Sequence, residues 1–152
     1  MTEMVLPNDA NIIGNLLGGR LLHWIDLAGV TCATRHAESL AATVMIDAVS
    51  FKRPIRVGSI VVLKSYVTWT GKTSIETAIE VYAENPYKGE RSFIQKTYAV
   101  FVTLNEQGQK IPVVSYVPVT AEEQAEFDAG IARQTRRTAP CHCGLDRHPA
   151  NL

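Results

Sequence analysis

The chain has 152 residues, which suits one domain that can bury a core without disulfides or metal. Lysine plus arginine equals aspartate plus glutamate, so the net charge is near zero and a nucleic-acid partner, which calls for a basic excess, is not expected. The three cysteines have no framework spacing, and no apolar run has the length of a signal peptide or a membrane span. We therefore expect a cytoplasmic globular protein.

The first predicted elements are a loop and a long helix. Residues 5–19 are rich in Gly, Asn, Asp and Pro, which predicts a loop with at most one short strand. Residues 21–36 contain no Pro and place apolar side chains on nearly every side of a helix. That pattern predicts a helix buried on most of its surface.

Residues 43–51, 59–70, 73–84 and 93–104 are predicted strands, and residues 111–117 could add a short edge segment limited by Pro112 and Pro118. In the second of these strands the period of two puts four side chains on one face: Val61, Leu63, Val67 and Trp69. In the third, apolar and acidic residues alternate, so one face is expected in the core and the other in water: Ile75, Ile79 and Val81 against Glu76, Glu80 and Glu84.

A second helix is predicted to begin at Thr120, where Thr120 and Glu123 form a capping box. Its apolar stripe is thin, so we expect a surface helix. We assign residues 1–138 to one domain and residues 139–152 to a flexible tail. That tail contains Cys141, His142 and Cys143, but the spacing is tight for one tetrahedral zinc ion, and no metal site is expected.

One long helix followed by antiparallel strands indicates an α+β fold, in which a curved sheet of about five strands wraps the helix. Such a sheet keeps exposed edges, which association with a second copy could close.

Asp26 is a candidate catalytic residue because it lies two turns into the apolar helix. A charged carboxylate there is costly unless it has partners. It is therefore either a structural, hydrogen-bonded or exposed Asp, or a catalytic base in a water-poor cleft, and the residues alone leave these interpretations even.

Gly18 and Gly19 stand where the helix should begin, so their backbone N–H groups are expected to be free at the positive end of the helix dipole. Such donors can stabilise the oxyanion that forms when a thioester is attacked. Alone, however, the segment is more typical of a turn-rich helix entry than of a catalytic site.

Several of these elements together carry a family resemblance. Residues 7–19, Trp24-Ile25-Asp26 and Arg35-His36, with further likeness at 43–51, 54–55, 58, 72–74 and 98–102, resemble the hotdog acyl-CoA thioesterases of the brain acyl-CoA hydrolase type. The resemblance spans roughly residues 4–120. It implies the hotdog fold and hydrolysis of a fatty acyl-CoA to free fatty acid and CoA.

The resemblance also implies roles for individual residues. Asn11 and Asp26 match the family's active-site Asn and Asp, which face each other across a dimer interface. Gly19 or its neighbour Gly18 would supply the oxyanion N–H, and Thr43 matches a polar residue lining the site. The turn that meets the CoA phosphates in the family corresponds to Lys72, Thr73 and Ser74. A homodimer is the minimum assembly, and such proteins commonly form trimers of dimers.

Other interpretations remain. His23 and His36 flank the helix and could indicate a His-based dehydratase, but the family pattern has Asn11 at the loop position, which favours the thioesterase. A non-catalytic module that binds or senses acyl-CoA is the alternative from another class. The sequence has no Gly-x-Ser-x-Gly motif, so an acyl-serine route is not expected, and neither is a metal or organic cofactor.

Overall fold

The computed structural model describes residues 1–47, 49–50 and 53–138. In chain order these form β1 (Thr2–Met4), a 3-10 turn (Pro7–Asp9), α1 (Gly18–Ala37), β2 (Leu40–Ile46), β3 (Ile60–Thr70), β4 (Ser74–Asn85), β5 (Glu90–Leu104) and α2 (Ala121–Thr138). The strands make one antiparallel sheet in the order β1-β3-β4-β5-β2. The predicted α+β arrangement is confirmed.

The long helix α1 packs against one face of the sheet, as its apolar pattern predicts. Leu21, Ile25 and Ala33 on the helix, and Phe101 on β5, are all at most 2% exposed. Gly29 allows the close approach, since a Cβ there would lie only 2.7 Å from the ring of Phe101. The helix stops at Glu38, which adopts a left-handed conformation with φ 50°.

The inner face of β4 follows the predicted alternation, with Ile75, Ile79 and Val81 fully buried against the helix. The first predicted strand, at residues 43–51, is shifted: the structure places β2 at Leu40–Ile46, and Phe51 lies outside the described residues. The predicted tail, with its Cys and His residues, also lies outside them.

The predicted edge segment at residues 111–117 is wrong. Backbone donors there reach only scattered partners, such as Ile111 N–H to the Thr103 carbonyl at 3.0 Å, and no strand forms. The fifth strand is instead β1, which pairs with β3 through Thr2 and Val62. A strand of three residues is too short to show a period of two, so the sequence carries no signal for it.

The predicted face of β3 is wrong for Trp69. The register between β3 and β4 shifts between Val67 and Trp69, so that Val67 pairs with Thr77 but Trp69 pairs with Glu76. This irregularity turns Trp69 to the outer face of the sheet, beneath α2. A strict period of two cannot anticipate an extra residue in one strand.

The helix α2 begins with the predicted capping box, in which Glu123 N–H donates to Thr120 Oγ1 at 3.1 Å and the Glu123 carboxylate accepts from Thr120 N–H at 3.0 Å. Much of α2 is exposed, as expected of a surface helix. Its Gly130 is nevertheless buried against Trp69 and Glu76, so α2 covers part of the outer face of the sheet.

The alternation of β4 predicts Glu76 in water, but its side chain is fully buried under α2. Arg133 and Arg137, one helical turn apart, reach its two carboxylate oxygens at 2.7 and 2.6 Å, and Thr68 Oγ1 donates to it at 2.7 Å. A buried carboxylate is tolerated when its charge is paired and its oxygens are hydrogen-bonded. The sequence contains Glu76, Arg133 and Arg137 but does not show that these residues form ion pairs.

The same ion network extends over the outer face. Arg137 also reaches Asp47 just beyond β2, and Lys96 on β5 pairs with Glu126 on α2, both at 2.6 Å. Burial alone would raise the pKa of Glu126, but the hydrogen bond and the charge of Lys96 hold that pKa below its ordinary value. The Lys96–Glu126 contact therefore stabilises the fold at a pH above the ordinary pKa of a Glu. Its stabilisation is lost as the pH falls through the lowered pKa of Glu126.

Among the described residues, neither helix combines the length and the apolar character needed to cross a membrane.

Glu76→Gln should lower the free energy of unfolding by about 3 kcal/mol, because it removes the buried negative charge that the largely buried guanidinium groups of Arg133 and Arg137 share. Urea denaturation at neutral pH measures this. Glu84→Gln is the matched control: Glu84 lies on the same face of β4 and pairs with Arg91, but both are partly exposed, so the loss should stay below about 1 kcal/mol. Equal losses in the two variants would contradict the burial argument.

Candidate active site

The loop before α1 is held in shape by Asn11. Its Oδ1 accepts hydrogen bonds from Ile13 N–H and Asn15 N–H, both at 3.1 Å, and its own N–H donates to the Asn15 carbonyl at 2.8 Å. Gly14 completes the tight turn with a φ of 75°. Among the described residues the Asn11 Nδ2 group donates to nothing, so it can bind a ligand or another chain.

Asp9 connects this loop to the helix α1 through an ion pair. Asp9 is buried, accepts a hydrogen bond from Leu6 N–H at 3.0 Å and pairs with Arg20 at 2.7 Å. Arg20 also lies over the ring of Trp24, 5.6 Å from its centroid. The sequence predicts no role for Asp9, because its interval to Arg20 matches neither a helical nor a strand period.

The helix N-terminus presents free donors, as the two glycines indicate. Arg20 N–H and Leu21 N–H both donate to the Leu17 carbonyl, whereas the N–H groups of Gly18 and Gly19 have no acceptor among the described residues. Both glycine amides stand at the positive end of a 20-residue helix. They can therefore stabilise an anionic oxygen that binds at this end of the helix.

Of these two glycines, Gly18 lines a cleft of about 330 Å³. Its walls come from three segments: Asn11, Asn15, Leu16, Gly18, Leu21, Arg53, Pro54 and Ile55. The segments meet because Leu16 N–H donates to the Ile55 carbonyl at 2.7 Å and Asn15 bridges to Arg56. The sequence predicts no role for Arg53, since nothing in its local sequence shows that it reaches the helix N-terminus.

Asp26 lies farther along α1, about 12 Å from Gly18 at 1.5 Å per residue. Thr43 Oγ1 donates to its Oδ1 at 2.6 Å, so the two predicted site residues meet across α1 and β2. Asp26 is partly exposed and Thr43 is exposed in the single chain. Asp26 therefore faces outward at the sheet edge in the single chain, hydrogen-bonded to Thr43, and both interpretations of it from the sequence stay open.

Uncovered apolar side chains surround this pair. Leu22 is one turn before Asp26 on the helix, and Val44 and Met45 follow Thr43 on β2; they are 39%, 62% and 41% exposed. Because β2 is an edge strand, its outer backbone groups are free as well. The Asp26–Thr43 pair thus lies in a surface suited to a partner and not to bulk water.

The single chain does not bring all the predicted site residues together. No hydrogen bond joins Asn11 to Asp26 in the described part of the chain. Lys72 and Thr73 lie in the turn between β3 and β4, and Ser74 is the first residue of β4. This turn is at the other end of the sheet from Arg56, and the 11 residues of β3 separate these ends by about 33 Å. Lys72 is exposed there, while the Lys72 and Thr73 carbonyls accept hydrogen bonds from Val113 and Thr103.

Comparisons with known proteins agree on one family. The model of the thioesterase superfamily matches residues 13–90. The acyl-CoA thioester hydrolase YkhA of Bacillus subtilis is 35% identical over 136 residues, which are 90% of this chain and 79% of the relative.

Solved structures show the same likeness. A hexameric acyl-CoA thioesterase in its apo form is 36% identical with a TM-score of 0.85, over 90% of this chain and 88% of that one. The acyl-CoA hydrolase of Staphylococcus aureus in complex with butyryl coenzyme A, coenzyme A and coenzyme A disulfide is 27% identical with a TM-score of 0.83, over 91% and 85%.

Three further structures of the Staphylococcus aureus protein carry single replacements by Ala, at an Asn, an Asp and a Thr. These positions follow one another in that protein at the same intervals as Asn11, Asp26 and Thr43 do here. With the matching family model, the relative that is similar over most of its length and the shared architecture, the chain belongs to the thioesterase superfamily and has its hotdog fold.

Proposed function

We propose that the protein is an acyl-CoA thioesterase that hydrolyses a fatty acyl-CoA to a free fatty acid and CoA. The observation that carries the proposal is the Thr43–Asp26 hydrogen bond, made from a helix whose first two amides have no acceptor in the described part of the chain. The names of the relatives and the CoA-containing structure from Staphylococcus aureus support it. The equal spacing of the Asn, Asp and Thr replaced there supports the choice of residues.

The chemistry follows from what each group can do. The Gly18 and Gly19 amides receive the thioester carbonyl oxygen as it becomes negative. The Asp26 carboxylate either takes a proton from the attacking water or attacks the carbonyl carbon itself, and water then releases the acyl group. In both routes the C–S bond breaks and the CoA thiolate leaves and is protonated. The reaction as written calls for no metal or organic cofactor.

Thr43 and Asn11 position the reacting groups in this scheme. The Thr43 hydroxyl donates a hydrogen bond to Asp26 Oδ1, which fixes the plane of the carboxylate. Oδ2 is then left to accept the proton of the water or to attack the carbonyl carbon. The Asn11 Nδ2 group, unused in its own loop, donates to the water or to the substrate carbonyl. The acyl chain would lie along the apolar surface between helix and sheet.

Asn11 and Asp26 would meet across a homodimer, each from a different copy. Their separation within one chain, the uncovered apolar side chains around Asp26 and the free edge of β2 support this arrangement. Three such dimers would form a hexamer, and the hexameric state named for two similar structures supports that assembly. We place the protein in the cytoplasm, where its odd number of cysteines would remain reduced.

The Lys72, Thr73 and Ser74 turn would serve the partner's site in this dimer. A two-fold axis beside β2 runs the two α1 helices in opposite directions, so the turn of one copy approaches the helix N-terminus of the other. We propose that it contacts the phosphates of CoA there.

Release of free thiol from palmitoyl-CoA, followed with a thiol reagent, tests the proposed activity directly. Thiol release that depends on enzyme concentration is expected. Binding of palmitoyl-CoA without release would instead show a non-catalytic acyl-CoA-binding module.

Asp26→Asn should lower kcat by about two orders of magnitude, since the amide can neither accept a proton nor attack the carbonyl. Steady-state hydrolysis of palmitoyl-CoA measures this. The Asp26→Asn variant should keep most of its affinity for a non-hydrolysable acyl-CoA. Asp128→Asn, an exposed acid on α2, is the control and should retain wild-type turnover. Wild-type turnover in the Asp26 variant would make that residue structural.

Lys72→Glu should raise KM for acyl-CoA several-fold and leave kcat nearly unchanged, because a phosphate contact stabilises ground and transition states alike. The kinetics are measured at low salt, where screening is weakest. Lys64→Glu makes the same charge change on the outer face of β3 and should have no such effect. An unchanged KM in the Lys72 variant places the CoA phosphates elsewhere.

Asn11→Ala and Asp26→Asn, each inactive alone, should regain activity when mixed and allowed to exchange subunits. A mixed dimer has one site with both residues intact and one with both replaced. At full exchange of equal amounts about half the dimers are mixed, so activity should plateau near about a quarter of wild type.

Exchange must be shown separately, for example with mass-tagged protomers. If tagged hybrids form while activity stays at the level of the single variants, each site lies within one protomer. That result would contradict a site shared between two protomers, but it would leave the proposed thioesterase activity unaffected.

A further inference from the structure

Residues 9–17 form a short hairpin that leads directly into α1. Its two arms pair through backbone contacts at three levels: Asp9 with Leu17, Ala10 with Leu16, and Asn11 with Asn15. We call this segment the 9–17 hairpin. The pairing places Asn11 near its tip and Gly18, the first residue of α1, immediately after its base.

The base of the 9–17 hairpin is joined to the helix by one ion pair. Asp9 is buried; its Oδ1 pairs with Arg20 Nε at 2.7 Å, and its Oδ2 accepts from Leu6 N–H at 3.0 Å. Over the described ranges, no other side-chain hydrogen bond or ion pair links the hairpin to α1. Backbone contacts attach the hairpin to residues 55–57, but those residues are not part of the helix. The Asp9–Arg20 pair therefore sets the angle between hairpin and helix.

The charges at this end of α1 favour a permanent pair. The first turn of the helix has no acidic residue, and Leu17 at the N-cap position has an apolar side chain that cannot cap it. Arg20 in that turn is poorly placed toward the positive end of the helix dipole, so it gains from an acid outside the helix. Asp9 is buried and gains equally from a cation. The ring of Trp24, 5.6 Å from the guanidinium group, further restricts Arg20.

The groups that would act on the thioester carbonyl lie on the two sides of this joint. Asn11 Nδ2 belongs to the hairpin, whereas the Gly18 and Gly19 amides belong to the helix. Donors stabilise an oxyanion only when they are aimed at the place where its charge develops. A displacement of about 1 Å can lower a rate by about a hundredfold. The angle between hairpin and helix thus decides whether these donors converge.

We propose that Asp9 and Arg20 are positioning residues, whose ion pair holds the Asn11 side chain and the two glycine amides in one mutual geometry. This inference rests on the proposed thioesterase function. Neither residue contacts a reacting atom; both act through the groups that do. Because Asp26 would come from the other copy of the dimer, the pair serves only the half of the site that its own chain supplies.

Kinetics of palmitoyl-CoA hydrolysis test the proposal. Asp9→Asn should lower kcat about tenfold or more and change KM much less, because misaligned donors lose contact with charge that develops in the transition state. The amide oxygen can still accept from Leu6 N–H, so the hairpin should form. Arg20→Gln should cause a similar loss of kcat, and Arg20→Lys a smaller one because it keeps the charge. The double variant should lose no more than either single one, since each removes the same interaction.

Glu126→Gln is the matched control. It breaks an ion pair of similar length, with Lys96, on the opposite face of the sheet. It should leave kcat unchanged even if it lowers the melting temperature as much as Asp9→Asn does. An equal loss of kcat in this control, unchanged kcat in Asp9→Asn, or additive losses in the double variant would each overturn the proposal.

Subunit mixing assigns Asp9 to one half of the site. Asp9→Asn mixed with Asp26→Asn should reach about a quarter of wild-type activity, since each mixed dimer has one site with both halves intact. Asp9→Asn mixed with Asn11→Ala should show no gain over the average of the separate variants, because every site then has a damaged half. Recovery in the second mixture, or none in the first while Asn11→Ala and Asp26→Asn do complement each other, would overturn the proposal.

Hydrogen–deuterium exchange gives a readout that requires no substrate. In Asp9→Asn the amides of residues 9–17 should exchange faster than in wild type, and those of β4 and β5 at the same rate. Unchanged exchange in the hairpin would overturn the proposal. If the wild-type protein releases no thiol from palmitoyl-CoA, the proposed activity is wrong, while the exchange rates still decide whether the ion pair holds the hairpin.

Discussion

The packing of α1 against the concave face of the sheet is the constraint on which the rest of the structure depends. Leu21, Ile25 and Phe101 are almost completely buried in this contact, and Gly29 permits an approach that a Cβ would block. Because interiors are packed as densely as crystals, the helix cannot rotate or slide without opening a void or a clash. That fixes where its N-terminal amides lie and which way Asp26 faces.

A helix buried on one side must leave another stripe outside. In this protein the uncovered stripe of α1 lies beside the edge strand β2, and the Thr43–Asp26 hydrogen bond joins the helix to that strand. The residues of the proposed site are therefore distributed over three places: the helix N-terminus, the edge strand and, at the far end of the sheet, the turn at Lys72. Such a distribution agrees with the proposal that a second copy completes the site, since a two-fold axis brings opposite ends of two identical chains together.

The outer face of the sheet is secured by charge rather than by apolar packing alone. Glu76 is fully buried, which would be prohibitive without Arg133 and Arg137. Through Arg137 the same cluster holds Asp47, just beyond the strand that bears Thr43. The helix α2 thus ties the first part of β4 to the end of β2, the edge strand whose Thr43 donates to the Asp26 carboxylate.

The sequence by itself determined the buried helix, the inner face of β4 and the capping box of α2, because these depend on periodicity and on contacts between near neighbours. Through its likeness to a family, it also predicts the site residues Asn11, Gly18 and Asp26. Only the tertiary structure decided that Glu76 is buried, that Trp69 turns to the outer face and that β1 supplies the fifth strand. It likewise decided that Arg53 adjoins the helix N-terminus while Lys72 lies far from it. Each of these depends on which distant segments pair and in which register, and a one-residue shift in register reverses the face of every side chain beyond it.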